Sequence, residues 1–168
     1  MDDTAKTEMR NYTTAAGFLI IALAMLMTIF AGISNSFGEW MTSAFVIIGL
    51  VLILTGVILI VCKNRDLSAI TFIMIGMLEI FLSQVGVSNY PQLIISIFML
   101  ILAAVILTAK DTKKYLLAVM PALWGIGGLL VFFTPQSPAN LIILVVTALT
   151  ALYFAFACAS EKINFPSF

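Results

Sequence analysis

The chain has 168 residues, of which 62% are hydrophobic and only 10% are charged, and its formal net charge is zero. A soluble domain of this length could not keep so much apolar surface out of water, and a neutral chain has no basic face for nucleic acid. The sequence has no histidine, the usual metal ligand and general base, so we expect neither an enzyme nor a metal or other cofactor.

Six long apolar stretches follow one another, and a helix of about 20 residues is enough to cross the roughly 30 Å hydrocarbon core. Only short segments separate them, so neighbouring helices should form hairpins. The fold prediction is an all-α membrane protein with six transmembrane helices in antiparallel hairpins and no soluble domain. The transmembrane domain, 13–159, lies between tails at 1–12 and 160–168. The predicted spans are 13–33, 41–62, 67–86, 92–109, 115–133 and 140–159.

The positive charges are distributed unevenly between the two sides of this arrangement. All eight Lys and Arg residues fall in the tails or in the second and fourth connecting segments. Cytoplasmic loops carry the excess of Lys and Arg, so we predict that both termini are cytoplasmic, in a plasma or inner membrane. The eight residues are Lys6, Arg10, Lys63, Arg65, Lys110, Lys113, Lys114 and Lys162.

The connection between spans 2 and 3 is predicted to be a tight cytoplasmic turn, Lys-Asn-Arg-Asp at 63–66. Aspartate is one of the preferred residues just before a helix, because its side chain accepts a hydrogen bond from a free backbone N–H. We therefore predict that Asp66 caps the third span.

Glu79 is the one ionisable residue deep inside a predicted span. It lies about 18 Å from the inner start of span 3, at 1.5 Å per residue. Burial penalises a charged carboxylate, and ionisable groups within membranes are usually functional. We expect a neutral carboxyl that couples protons or contacts substrate. The alternative is a neutral carboxyl that hydrogen-bonds a neighbouring helix.

Span 5 contains the segment 121–128, Pro-Ala-Leu-Trp-Gly-Ile-Gly-Gly. Pro121 removes a backbone donor, which predicts a kink in the helix. The glycines that follow, Gly125, Gly127 and Gly128, permit close backbone approach. Trp124 lies near the midplane, away from the interfacial positions where Trp is usually found. The segment favours a solute path past Trp124, and the alternative is ordinary helix packing.

Span 6 carries small residues at every fourth position, a pattern typical of a close-packing helix face. They are Thr147, Ala151, Ala155 and Ala159.

Two stretches resemble the acetate and succinate uptake transporter family. The segment 63–69, Lys-Asn-Arg-Asp-Leu-Ser-Ala, lies in a hairpin like that family's second one, and 11–18, Asn-Tyr-Thr-Thr-Ala-Ala-Gly-Phe, is similar to its entry motif without the two prolines. The six short spans and the tight loops fit as well. The resemblance implies a narrow pore with aromatic and aliphatic walls, in which Phe18 and Phe72 would lie, and a homo-oligomer.

Two functions remain open at this point. The first is a small-solute channel or transporter for acetate or a similar small monocarboxylate, whose partners are the small-molecule or small-anion substrate and the lipid bilayer. The second is a non-transporting helical membrane scaffold or accessory subunit, which the scarcity of polar residues in the spans favours.

Overall fold

The computed structural model of the chain describes residues 3–34, 39–63, 66–85, 89–110, 112–134 and 138–163. Over these ranges the chain is all-helical, with six α-helices and no β-strand, which confirms the predicted fold class at this level. The helices are α1 (Asp3–Ser34), α2 (Glu39–Cys62), α3 (Leu67–Val85), α4 (Asn89–Leu107), α5 (Lys114–Phe133) and α6 (Ala139–Ala159).

Helix α1 begins earlier than the predicted first span, which was placed at 13–33. It starts at Asp3, so most of the predicted N-terminal tail is helical. Ala5, Lys6 and Arg10 are strong helix formers, and hydropathy alone does not detect a polar extension of an apolar helix. The extension projects polar side chains from the end of the apolar part of α1.

Within the residues that the structure describes, four helices are long and apolar enough to cross a membrane: α1, α2, α3 and α6. The described apolar stretches of α4 and α5 are shorter, Leu93–Leu107 and Lys114–Leu130. Large apolar side chains such as Leu54, Ile101 and Phe156 lie on the outside of the bundle, although its interior is apolar too. Helices that are apolar all round belong in a membrane or in the core of a larger protein, so the exterior of this bundle is compatible with a membrane protein.

The helices pack in chain order, each against the next, and α1 closes the arrangement by packing against α6. Three of these pairings are extensive: α2 with α3, α4 with α5, and α1 with α6. The junction between α3 and α4 is the thinnest of the neighbouring contacts within the described residues. The bundle is therefore a ring of three tight helix pairs.

Glycines bring α2 and α3 closest together. A Cβ atom added to Gly49 would lie 2.5 Å from the carbonyl oxygen of Gly76, and one added to Gly56 would lie 2.7 Å from that of Ala69. No side chain larger than hydrogen fits at either position without movement of the partner. Residues later in α2 contact residues earlier in α3, so these two helices run in opposite directions.

Most buried hydroxyl groups in the helices are satisfied within their own helix. Threonine hydroxyls donate to the carbonyl oxygen four residues earlier, a common bond in apolar helices, where no water competes. These bonds leave such side chains without a hydrogen to offer a solute. The pairs are Thr14 with Arg10, Thr55 with Val51, Thr71 with Leu67, and Thr147 with Ile143.

Candidate functional site

One face of α3 points into the ring and carries the candidate site. Ser68, Phe72, Ile75 and Glu79 are all buried, and their spacing of three or four residues places them above one another on one helix face. Met77, on the other side of the helix, is exposed. Glu79 lies about 10 Å beyond Phe72 along the helix axis, at 1.5 Å per residue.

Three phenylalanine rings meet at the level of Phe72. The ring centroids of Phe18 and Phe72 are 5.0 Å apart and those of Phe18 and Phe154 are 5.2 Å apart, both edge to face. All three rings are fully buried or nearly so, and edge-to-face pairs add stability beyond their buried area. Gly17 lies against the ring of Phe72, where a Cβ atom would overlap it. This phenylalanine cluster joins α1, α3 and α6.

The cluster brings together two residues that the resemblance implied and one that it did not. Phe18 and Phe72 are in direct contact, as walls of one path would be, although their role in transport stays a prediction. Phe154 was missed. It lies three residues after Ala151, on the packed face of α6 that the small residues indicated, and that spacing was the available signal. Three of the four small residues of that face, Thr147, Ala151 and Ala155, are buried, whereas Ala159, at the end of the helix, is exposed.

Glu79 is 1% exposed, and its Oε2 atom has no hydrogen-bond partner in the described part of the chain. Nearly all buried polar atoms in proteins have such a partner, so an exception needs an explanation. The described Lys and Arg residues lie at helix ends or in turns, too far along the helices to pair with a carboxyl in the middle of α3. A charge at this position would be costly, so we expect the neutral acid, whose O–H can donate a hydrogen bond.

Asp66, at the start of α3, contrasts with Glu79. It is also buried, but its Oδ1 atom accepts a hydrogen bond of 2.8 Å from the Ser68 N–H, which confirms the predicted cap. Burial raises the pKa of Asp66 from its ordinary value of 3.8. The Ser68 N–H, and to a smaller extent the positive charges of Lys63 and Arg10, lower that pKa without offsetting the effect of burial.

Helix α5 is continuous through Pro121, and the kink predicted there stays a prediction. Gly125 lies against Leu100 and Ser96 of α4, and Gly127 lies against Ile143 of α6. Gly128 is buried as well. The three glycines therefore allow α5 to pack closely with its neighbours, which favours the packing interpretation of these residues.

Trp124 is 5% exposed and belongs to the same apolar core as Phe18 and Phe72. It lies about 15 Å from the start of α5, close to the depth of Glu79 in α3. Its indole ring therefore points into the bundle and away from lipid. This position is compatible with a path lined by Trp124 and equally with a packed core.

A neutral carboxyl above a cluster of aromatic rings has a limited chemical repertoire. It can donate one hydrogen bond to a small polar group, and the rings can accept a small apolar group. Among the described residues no group of three His, Cys, Asp or Glu side chains could hold a metal ion.

Comparison of the chain with known protein families, with curated proteins and with solved structures found no match in any of the three. The resemblance to the acetate and succinate uptake transporters therefore stays a prediction.

Proposed function

We propose that this protein is a small-solute channel or transporter, with acetate or a similar small monocarboxylate as its substrate class. The observation that carries the proposal is the unpartnered, fully buried Oε2 atom of Glu79 on the inward face of α3. The acetate part of the proposal comes from the family resemblance.

The free energy of a buried, unpaired polar atom is the first reason. Leaving such an atom without a partner costs about 1–3 kcal/mol, and the hydrocarbon core has no water to supply one. A leucine at position 79 would avoid that cost. If the carboxyl forms its hydrogen bond only when a solute is present, this explains why a glutamate is found at position 79 despite that cost.

The shape and polarity of a short carboxylic acid are the second reason. On a path through the bundle its methyl or ethyl group would pass the apolar rings of Phe18, Phe72 and Phe154, about 10 Å along α3 from Glu79. Its carboxyl group can exchange hydrogen bonds with neutral Glu79. Because an ion at this depth is costly, the solute passes together with a proton.

The membrane arrangement that goes with this function is six antiparallel spans with both termini cytoplasmic, assembled as a homo-oligomer. The cation asymmetry of the sequence supports the orientation, and the opposite directions of α2 and α3 support one hairpin. Single cysteines at Ser36 and Ser137, which lie outside the described residues, would test the orientation in a variant without Cys62 and Cys158. Labelling of both sites only from the cytoplasmic side would contradict it.

Solute flux into liposomes tests the function. The purified protein would be reconstituted and offered acetate, succinate, urea, ammonia and glycerol in turn, with protein-free liposomes as the baseline. We expect acetate to enter faster than baseline, and Glu79→Leu to abolish the increase. Gln84→Leu is the matched control, because Gln84 is an exposed polar residue on the same helix. Baseline flux of all five solutes would contradict the proposal.

One observation favours the scaffold function instead. The interior at the level of the phenylalanine cluster is filled by fully buried rings, with Met25 and Ile75 among the other fully buried residues. A scaffold needs such a packed interior, whereas a transporter must open it. Equal baseline flux in the parent and Glu79→Leu, with intact folding, would support the scaffold.

A further inference from the structure

A polar cavity lies at the end of the bundle that carries the positive charges, and it is separate from the candidate site on α3. Its volume is about 210 Å³, and it is formed by the first turns of α1 and the end of α2. The lining residues are Asp3, Lys6, Thr7, Arg10, Cys62 and Lys63.

The charges around this cavity favour an anion. Among the described residues that line it are three cations and one carboxylate, a formal net charge of +2. Lys6 and Arg10 are four residues apart and lie on the same side of α1, and Lys63 reaches the cavity from the end of α2. Lys63, and to a smaller extent Arg10, also interact with the carboxylate of Asp66, which offsets part of their charge. The hydroxyl of Thr7 donates to the carbonyl oxygen of Asp3, at 3.0 Å.

The two helices that form the cavity are apolar on their outer faces. Ile60 and Val61, in the last turn of α2, are 41% and 79% exposed, and Tyr12 of α1 is 64% exposed. Tyr12 follows Arg10 by two residues and so lies on the side of α1 away from the cavity. The exposed apolar surface of α1 and α2 therefore ends at the level of the charged cavity, on the outer side of the helices. In a membrane this boundary coincides with the level of the lipid headgroups, where tyrosine is enriched.

We propose that this cavity binds the phosphate of an anionic phospholipid whose acyl chains lie in the bilayer beside α1 and α2. The cations attract the phosphate, and the position of the cavity at the end of two helices apolar enough to cross a membrane favours a lipid over a soluble phosphate. Anionic lipids are concentrated in the cytoplasmic leaflet, and cations beside a span bind them. The site is independent of Glu79 and would exist in a transporter or a scaffold.

Native mass spectrometry of the purified full-length protein tests the proposal. The protein would be titrated with palmitoyl-oleoyl phosphatidylglycerol, and in parallel with the phosphatidylcholine that carries the same acyl chains. We expect preferential binding of the phosphatidylglycerol. The double variant Lys6→Gln/Lys63→Gln should lose about fivefold in that affinity for each lysine removed. Asp3→Asn, which removes the one carboxylate of the cavity, should bind the anionic lipid more tightly.

A second double variant separates this site from general surface charge. Lys110→Gln/Lys113→Gln removes the same charge from the other cytoplasmic turn, where both side chains are exposed, and should leave lipid affinity unchanged. Equal affinity for the two lipids, or equal losses in both double variants, would overturn the proposal. Displacement of the lipid by millimolar glycerol 3-phosphate would show a soluble-anion site, and would overturn it too.

Discussion

Two buried carboxyls on one helix differ in what their surroundings require. Asp66 is 2% exposed and Glu79 is 1% exposed, yet only Asp66 has a local structural role. The start of a helix has free N–H groups that need an acceptor, and Asp66 supplies one to Ser68. In the middle of α3 the backbone bonds are already made, so nothing in the helix itself requires Glu79. The local structure therefore does not account for Glu79, and the proposed function offers a reason for it.

The contrast between Glu79 and Asp66 predicts its largest effect in the pH dependence of flux, when Glu79 is replaced by glutamine. Glu79→Gln keeps the size and hydrogen-bonding capacity of the neutral acid but cannot titrate. We expect it to keep the fold and to flatten the pH–flux curve of reconstituted protein. Asp66→Asn is the matched control and should keep the parent curve. Superimposable curves for Glu79→Gln and the parent would leave Glu79 as a packing residue.

Trp124→Ala tests whether the region at the depth of Glu79 is a path or a packed core. Removal of a buried tryptophan should cost about 3–5 kcal/mol of the free energy of unfolding, and on a path it should also admit larger solutes. Trp40→Ala is the control, because Trp40 is 58% exposed and its loss should cost little. Measurements of denaturant unfolding and of flux against solute size give both results. An unaltered size limit would indicate packing alone.

Glu79→Leu should stabilise the protein if its carboxyl is unpaired in the resting state. Removing an unsatisfied buried atom should raise the free energy of unfolding by about 1–3 kcal/mol, while flux is lost. Denaturant unfolding of the parent, Glu79→Leu and Glu79→Gln would measure this gain, which glutamine should not reproduce. A loss of stability in Glu79→Leu would mean that Glu79 forms a stabilising bond to a neighbouring helix.

Replacing Asp66 by an apolar residue should lower the free energy of unfolding, the opposite of the effect expected for Glu79→Leu. Asp66→Ala removes the cap of α3 and should lower the free energy of unfolding by about 1 kcal/mol. Asp66→Asn preserves the cap and should be at least as stable as the parent at neutral pH, because the buried charge is gone. Unfolding of the two variants under identical conditions would compare them. Equal stability of alanine and asparagine would show that the cap contributes nothing.

The smallest expected effect is the pH dependence that Asp66 gives to stability. Its pKa in the folded protein is raised above 3.8, so the folded state binds this proton more tightly than the unfolded chain. The stabilisation of the folded protein by this proton is complete below about pH 4, and it is lost as the pH rises through the pKa that Asp66 has in the folded protein. The stability of Asp66→Asn relative to the parent should therefore increase over that interval and then level off. A decrease would show that Lys63 and Arg10 outweigh burial.

The elements of this fold that depend on local chemistry could be predicted from the sequence. Apolar runs indicated the helices, and an aspartate before an apolar run predicted the cap at Asp66. Glu79 was found because a carboxyl is rare in the middle of such a run. The start of α1 was missed, since residues 3–12 are polar and their helix depends on propensity rather than hydropathy.

Contacts between distant parts of the chain could not be predicted from one sequence. Phe154 meets Phe18 because α6 returns to α1 to close the ring, and no local pattern encodes which helices become neighbours. The unpartnered state of the Glu79 oxygen is likewise a property of all the helices around it. The charged cavity also needed the packing of α1 against the end of α2, since Lys63 is more than fifty residues from Lys6 and Arg10 in the chain.

The close approach of Gly49 to Gly76 has a mechanical consequence. The two backbones touch there without side chains between them, so the helices cannot rotate or slide past each other without a clash. We therefore expect α2 and α3 to move as one rigid unit under force. The other two extensive pairs, α4 with α5 and α1 with α6, leave three junctions as the compliant places in the ring. Within the described residues the junction of α3 with α4 is the thinnest of the three, and we expect it to separate first under membrane tension. Glu79 belongs to α3, the helix that borders this junction.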